Sequence, residues 1–177
     1  KQFYRELKPL SFEHSERAMR AGSMGLQCLT PKLRKSSNYD PEHRFFRPDL
    51  VLKLLYKEGF SPEEAMKELL GWIDQTRDQA EPILLAKPII VDIPFIHWYA
   101  KKYCGGLGCL SEDGIEDLEE SYRSLVNRKD ASVKELNVMD NRAELHNALD
   151  DAVYQAEQFE KIIEIKEKML GHLTPTI

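Results

Sequence analysis

The sequence predicts an α/β or α+β domain, because short strand-like segments alternate with amphipathic helical segments along a chain of domain size. Its 177 residues match the common length of one compact domain, so we expect residues 1–177 to share a single hydrophobic core. A composition of 42% hydrophobic and 31% charged residues is ordinary for a folded protein and argues against disorder.

The charge, hydropathy and cysteine content exclude several classes of protein. A net charge of -5 excludes a broad basic face that binds duplex by charge alone, although carboxylates around a metal site would also make the total negative. The sequence has no run of about 18 apolar residues, so we predict neither a membrane-spanning helix nor a membrane partner. Three cysteines without a Cys-x-x-Cys pair argue against a disulfide framework or a structural zinc site and favour a cytoplasmic setting.

The first elements are predicted to be a strand, a helix and a basic loop. Aromatic and charged residues alternate in Phe3–Leu7, a strand pattern that Pro9 ends. Ser15–Arg20 predicts a short helix that breaks at the glycines after it. Residues 30–47 are rich in Lys, Arg, Ser, Asn and Pro and predict an exposed, mobile loop. That loop is either a solvated surface or a contact for nucleic acid.

Two helices follow with clear start signals. Pro48 opens a helix with an apolar stripe, and Gly59 ends it. In the next helix Ser61 suits the N-cap, Pro62 suits the first helical position, and Glu64 can complete a capping box.

The second half of the chain is predicted to hold one buried strand and three helices. The apolar, β-branched run Lys87–Val91 predicts a central strand that ends at Asp92. Residues 95–103 and 115–125 repeat apolar side chains at helical intervals. Residues 147–170 predict the longest helix, with these side chains facing inward: Ala148, Ala152, Phe159, Ile162, Ile163 and Met169.

The segment His146–Ala152 is the most informative for function. A histidine stands just before a helix, and two carboxylates, Asp150 and Asp151, follow within it. Because a helix N-terminus favours negative charge, the acids have a purely stabilising interpretation. In a second interpretation, a histidine near neutral pKa beside a metal-bound carboxylate acts as general base on a water molecule.

This segment, His-Asn-Ala-Leu-Asp-Asp-Ala, resembles the third motif of DEDDh 3′–5′ exonucleases of the ribonuclease T and oligoribonuclease type. In that motif, four residues separate a His from an Asp. Four other segments resemble the family in the same order and extend the likeness over most of the chain. Phe3–Pro9 resembles its third strand and Glu13–Gly22 the helix after that strand. Pro62–Met66 resembles a helix of one bacterial and phage branch, and Val91–Tyr99 resembles the second motif.

The resemblance implies a ribonuclease H-like mixed sheet flanked by helices, and a nuclease that removes nucleotides from the 3′ end of single-stranded DNA or RNA. It also implies two divalent cations, Mg²⁺ or Mn²⁺, that clamp the scissile phosphate. In those roles Asp92 and Asp151 would bind metal, His146 would deprotonate the attacking water, and Asp150 would not be a ligand. Relatives are often dimers, so a homodimer is a further expectation.

The chain departs from the family at its first motif, an Asp-x-Glu on an apolar first strand. Asp-x-Glu occurs here only at Asp40–Glu42, in a predicted loop, and at Asp117–Glu119, in a predicted helix. Either the N-terminal strands and this motif lie upstream of Lys1, or the domain is an inactive relative that serves as a nucleic-acid-binding or scaffold module. A helical interaction protein unrelated to nucleases is the third hypothesis, which the predicted Lys87–Val91 strand disfavours.

Overall fold

The computed structural model describes residues 1–111, 114–142 and 147–171. This part of the chain is mixed α/β and mainly helical, which confirms the predicted class at that level. Its elements in chain order are α1 (Glu16–Ser23), α2 (Pro31–Arg34), α3 (Pro48–Glu58), α4 (Pro62–Thr76), β1 (Leu84–Ala86), α5 (Ile89–Cys104), β2 (Ile115–Asp117), α6 (Leu118–Val126), a 3₁₀ helix (Val133–Leu136) and α7 (Ala148–Gly171).

The sheet found in the described ranges has two parallel strands. Leu84 pairs with Ile115 and Ala86 pairs with Asp117. Helix α5 is the crossover between β1 and β2, as parallel neighbours require. Strand β1 contacts both α5 and α7, so one short strand organises the two helices that carry Asp92 and Asp151.

The predicted central strand at Lys87–Val91 is wrong, because the strand lies one segment earlier and α5 begins at Ile89. Pro88 has no amide hydrogen for a central strand and stands at the N-cap of the helix. Within α5, Ile93 and Ala100 are buried at helical spacing, whereas Ile90 is 79% exposed. The apolar run therefore has a helical period, and Asp92 lies in the first helical turn.

The predicted strand at Phe3–Leu7 is reduced to a single parallel bridge between Leu7 and Phe60. The amide of Phe60 donates to the carbonyl of Glu6 at 2.8 Å, and the amide of Lys8 donates to the carbonyl of Phe60 at 2.8 Å. Gly59 makes this approach possible, since a Cβ there would lie 2.9 Å from the amide nitrogen of Lys8.

The helix starts predicted in the first half are confirmed. Ser15 caps α1, which extends three residues beyond the prediction, and α3 begins at Pro48. The capping box at α4 is complete: Ser61 accepts from the amide of Glu64, whose carboxylate accepts from the amide of Ser61. Side-chain caps thus fix the starts of α1 and α4, whereas α3 starts at Pro48 without a side-chain cap.

Three other expectations need correction. The 30–47 segment contains the short helix α2 and buries Phe46, which is 5% exposed, although most of the segment is loop and its mobility stays a prediction. Ile115 belongs to β2, because Asp117 caps a helix that starts only at Leu118. Part of the predicted inner face of α7 is solvent-exposed, namely Ala148, Ala152, Ile163 and Met169.

The buried side chains form two clusters. One joins α6, the 3₁₀ helix and α7 through Leu118, Tyr122, Ala131, Val133 and Ile162. The other joins α3 to the chain before it through Leu29, Phe46 and Val51. Among the residues that the structure describes, no helix is both long and apolar enough to cross a membrane.

Candidate active site

The two acids predicted to bind metal lie near each other in the folded chain. Asp92 is in the first turn of α5, and Asp151 is in the first turn of α7. Partial burial raises the pKa of the Asp92 carboxyl, and the charge of the Asp151 carboxylate raises it further. Because this electrostatic effect falls with distance, the two carboxylates, 59 positions apart in sequence, are close enough in the fold for their charges to interact.

The position of Asp151 is set at the beginning of α7. Asn147 caps this helix: its side-chain oxygen accepts from the amides of Leu149 at 2.9 Å and Asp150 at 3.1 Å. The amide of Asp151 donates to the carbonyl of Asn147 at 2.9 Å. This cap holds the first turn in a helical conformation and directs the acids from a rigid element rather than a loop.

Gly25 ties the same helix to the first half of the chain. Its carbonyl accepts from the side-chain nitrogen of Asn147 at 2.8 Å. A Cβ at position 25 would lie 2.6 Å from the backbone nitrogen of Asn147, closer than side chains tolerate. A glycine at this position therefore allows the link after α1 to pack directly against the start of α7.

Arg142 neutralises part of the negative charge. Its guanidinium donates to Asp151 Oδ1 at 2.7 Å and, through two nitrogens, to Asp140 at 2.8 and 2.6 Å. The guanidinium carbon also lies 4.6 Å from the centre of the Tyr154 ring. The hydrogen bonds from Arg142 lower the pKa of Asp140 to about 2. The Asp151 carboxylate is therefore already partly neutralised by this arginine.

The start of α5 is fixed by a second network, around Glu119. The Lys87 ammonium donates to Glu119, which also accepts from the Ser132 hydroxyl at 3.2 Å and the Val133 amide at 3.1 Å. Burial opposes ionisation of Glu119, but the hydrogen bonds led by that from Lys87 outweigh it and lower its pKa. Lys87, which follows β1 and stands five residues before Asp92, is thereby anchored to α6 and the 3₁₀ helix.

The remaining candidate residues lie as follows. His146, the predicted general base, is outside the described residues. Asp117 was predicted to lie in a helix, but it is the last residue of β2. It caps α6 by accepting a hydrogen bond from the amide of Glu120 at 3.0 Å. Asp40 lies in a loop, as predicted, and accepts from the amide of Glu42 at 2.9 Å. Across residues 1–111, 114–142 and 147–171, no three His, Cys, Asp or Glu side chains are grouped to hold a metal ion.

Sequence reasoning missed Arg142 and the role of Gly25. The signal for Arg142 was local, because Asp140 two residues earlier forms a short-range bidentate pair with it. The close approach of Gly25 to Asn147 spans 122 residues, and no local pattern predicts it. No family model, curated protein or solved structure shows a significant match to the chain.

Proposed function

We propose that this chain carries a metal-dependent 3′–5′ exonuclease domain that hydrolyses phosphodiester bonds at the 3′ end of single-stranded DNA or RNA. The observation that carries the proposal is the electrostatic coupling of Asp92 and Asp151 at the first turns of two helices packed on one strand. The resemblance of the motifs around these acids to those of the exonuclease family supports the same roles.

In the proposed mechanism the carboxylates of Asp92 and Asp151 would hold divalent cations, Mg²⁺ or Mn²⁺, for which hard oxygen ligands are suited. The chemistry supplied by such a cation would be charge stabilisation at the phosphate that is attacked. His146 takes a proton from the attacking water as general base. The raised pKa of Asp92 fits a cation site, because bound positive charge would relieve the repulsion between the two carboxylates.

A metal-dependence assay tests this proposal in the full-length protein. A 5′-labelled single-stranded oligonucleotide should yield a ladder shortened from its 3′ end with Mg²⁺ or Mn²⁺, and no ladder with EDTA. Asp92→Asn, Asp151→Asn and His146→Ala should each lower the rate by roughly 100-fold or more. Asp150→Asn is the matched control and should retain activity, since it alters the neighbouring carboxylate on the same helical turn.

Equal rates in Asp150→Asn and Asp151→Asn, or hydrolysis that survives EDTA, would refute the assigned roles.

A second candidate function is a catalytically inactive module that binds nucleic acid or acts as a scaffold. The pairing of Asp151 with Arg142 favours it, since an internal guanidinium already neutralises that carboxylate. This alternative predicts a wild-type protein that binds an oligonucleotide without Mn²⁺ binding and without hydrolysis.

A further inference from the structure

One face of helix α5 carries large apolar side chains that the described part of the chain leaves exposed. Phe95 is 64% exposed, and Val91 and Trp98 are 49% and 48% exposed. Because they follow one another at spacings of four and three residues, these side chains lie on one side of the helix. The opposite side carries the buried Ile93 and Ala100. Helix α5 therefore has a packed inner face and an apolar outer face.

Two lysines continue the outer face toward the end of the helix. Lys102 follows Trp98 by four residues on the same side, and Lys101 is exposed next to it. The Lys102 ammonium lies 4.4 Å from the centre of the Trp98 ring and 5.2 Å from the centre of the Tyr103 ring. The aromatic rings thus hold this cation at the surface. The α5 stripe is the set of four side chains along the outer face, Val91, Phe95, Trp98 and Lys102.

The α5 stripe ends in positive charge. Asp92 is the only acid in α5, and Lys101 and Lys102 add two positive charges in the last turn. Neither lysine forms an ion pair within residues 1–111, 114–142 and 147–171. The helix dipole favours lysines in a last turn, but it does not explain the exposed phenylalanine and tryptophan before them. In a protein of net charge -5, this end of α5 attracts an anionic partner.

Single-stranded nucleic acid combines the two chemical groups that the α5 stripe fits. Its bases stack on aromatic rings whatever their sequence, and its phosphates bind lysines. The Phe95 ring contacts no other aromatic ring and no cation in the described ranges, so a base can stack on it. A protein helix docked on the same face would need an apolar stripe and separate acids, whereas one strand supplies flat rings and anions at regular intervals.

The α5 stripe also leads away from Asp92, the acid of α5 that the proposed function assigns to a metal. Asp92 follows Val91 in sequence and lies about a quarter of a turn around the helix from the stripe. Lys102 is ten residues further along, about 15 Å at 1.5 Å per residue. That length accommodates about four nucleotides at a rise of roughly 3.4 Å. A strand with its 3′ end at the acids would therefore reach Lys102 within a few nucleotides.

We infer that the α5 stripe binds a single strand of nucleic acid, with a base stacked on Phe95 and a phosphate on the Lys102 ammonium that Trp98 positions. The inference rests on the proposed function and specifies the surface that holds the substrate strand beyond its 3′ end. Stacking and phosphate contacts are common to DNA and RNA, so the two strand types are separate arms of the test.

Binding is measured by fluorescence anisotropy in EDTA, so that no hydrolysis interferes. The probes are 5′-fluorescein-labelled single strands of ten deoxythymidines and of ten uridines. Phe95→Leu keeps an apolar side chain but removes the ring, and it should raise Kd about five- to 150-fold through the loss of one stacked base. Phe95→Tyr keeps a ring and should bind as the wild type does. The matched control is Phe12→Leu, which removes an exposed ring outside α5.

The lysine contact has a test of its own. Lys102→Gln should raise Kd about three- to tenfold and reduce the salt slope of log Kd by about 0.7, as for one lost phosphate contact. Lys129→Gln is the matched control, because it removes the same charge at an exposed position outside α5. Circular dichroism checks that every variant folds, as substitutions of exposed side chains should.

Three results would overturn the α5 stripe as a strand-binding surface. If the wild type binds a probe and both stripe variants bind as tightly as their controls, the strand lies elsewhere, whatever the hydrolysis assay shows. If Lys102→Gln weakens binding but Phe95→Leu does not, the surface attracts charge without stacking a base. A wild type that binds neither probe overturns the stripe together with the proposed substrate class, and self-association that Phe95→Leu abolishes would then assign this face to a second copy of the chain.

Other results support the stripe and separate it from catalysis. Weaker binding of one probe alone in both stripe variants assigns the surface to that strand type. If the stripe variants lose binding but the full-length protein releases no nucleotides with Mg²⁺ or Mn²⁺, the stripe stands and the proposed hydrolysis fails.

Discussion

Replacing Asp92 with Asn should stabilise the protein at neutral pH when divalent cations are chelated. Partial burial and the charge of Asp151 raise the pKa of Asp92 above its ordinary value near 3.8. Ionisation is therefore less favourable in the folded state than in the unfolded state. The stability of the wild type therefore falls as the pH rises from the ordinary pKa of Asp92 through its raised pKa in the folded state. Above the raised pKa the full destabilisation by the ionised carboxylate is present. Asn removes that cost.

The size of the effect is bounded by the exposure of the side chain. A pKa shift of one unit corresponds to about 1.4 kcal/mol, but water still reaches this partly buried carboxylate, and solvent screening reduces the contribution to below about 1 kcal/mol. In a domain of this size, 1 kcal/mol moves Tm by about 2–4 °C. We therefore expect a Tm gain of up to about 2–4 °C at pH 7 that shrinks as the pH approaches 4.

Differential scanning fluorimetry from pH 4 to 8 measures both the gain and its reversal by metal. With EDTA present, Asp92→Asn should have a higher Tm than the wild type. Mn²⁺ at 100 times its Kd should stabilise wild type by about 2.7 kcal/mol, and the variant much less. The matched control is Glu81→Gln, an exposed acid without an ion pair in the described ranges, which should change neither result.

Two outcomes would refute this reasoning separately. If the Tm of Asp92→Asn at pH 7 in EDTA is equal to or lower than that of the wild type, the ionised Asp92 carboxylate does not destabilise the folded protein. An equal Mn²⁺ shift in both proteins shows that Asp92 is not a ligand. A wild type without any Mn²⁺ shift favours the inactive-module alternative.

Three further substitutions test the elements that position the site. Gly25→Ala should destabilise the protein by about 1–3 kcal/mol, because the added methyl group would collide with the start of α7. Urea denaturation measures this loss. The control is Gly22→Ala, which should be neutral or stabilising because its methyl group meets no atom within 4 Å. Ser61→Ala should cost about 1 kcal/mol in the same assay through loss of the α4 cap. Glu119→Gln should cost about 1–3 kcal/mol at pH 7. Because the pKa of Glu119 is lowered in the folded state, its carboxylate stabilises the protein at pH values above its ordinary pKa of 4.5. The difference in stability between wild type and Glu119→Gln should therefore shrink as the pH falls through the folded pKa.

Each of these expectations has its own contrary result. Equal stability of Gly25→Ala and Gly22→Ala would show that the start of α7 yields to a methyl group without cost. An unchanged urea midpoint in Ser61→Ala would remove the capping box as the determinant of the α4 start. A Glu119→Gln deficit that is the same at pH 4 and pH 7 would assign its effect to packing rather than charge.

The helix starts were predictable because their causes are local. Ser61, Pro62 and Glu64 stand within four residues, and their hydrogen bonds and fixed φ select one conformation whatever surrounds them. The run Lys87–Val91 was ambiguous by comparison, since a short apolar segment suits a strand or a buried helical turn. Pro88 and the spacing of Ile93 decide for the helix, and both are visible in the sequence.

The candidate site was only partly predictable, because its contacts are long-range. The motif resemblance pointed to Asp92 and Asp151 as metal ligands, which stays a prediction, and in the fold the charge of Asp151 contributes to the raised pKa of Asp92. No local pattern places Gly25 against Asn147, and the pairing of Arg142 with Asp151 depends on how the chain enters α7. Composition and periodicity specify which helices form, whereas packing decides which helix ends meet.

Arg142 offers the most direct test of the proposed cation site. Its guanidinium binds Asp151, the carboxylate that the proposal assigns to a metal, while its two bonds to Asp140 keep it in place. Arg142→Gln removes one positive charge, and a screened contribution of about 1 kcal/mol corresponds to roughly fivefold tighter Mn²⁺ binding. Titration followed by electron paramagnetic resonance measures the free Mn²⁺ directly.

Arg128 supplies the matched control, because it also bridges two acids, Asp130 and Glu135. Arg128→Gln should leave Mn²⁺ affinity unchanged, which separates local competition from the change in net charge. Weaker Mn²⁺ binding in Arg142→Gln would contradict competition, since it would mean that the guanidinium orients Asp151 toward the metal. Tighter binding confined to Arg142→Gln would show that the cation and the arginine compete for the acids that Arg142 bridges, and loss of that gain when Asp151→Asn is added would locate the metal at Asp151 rather than at Asp140.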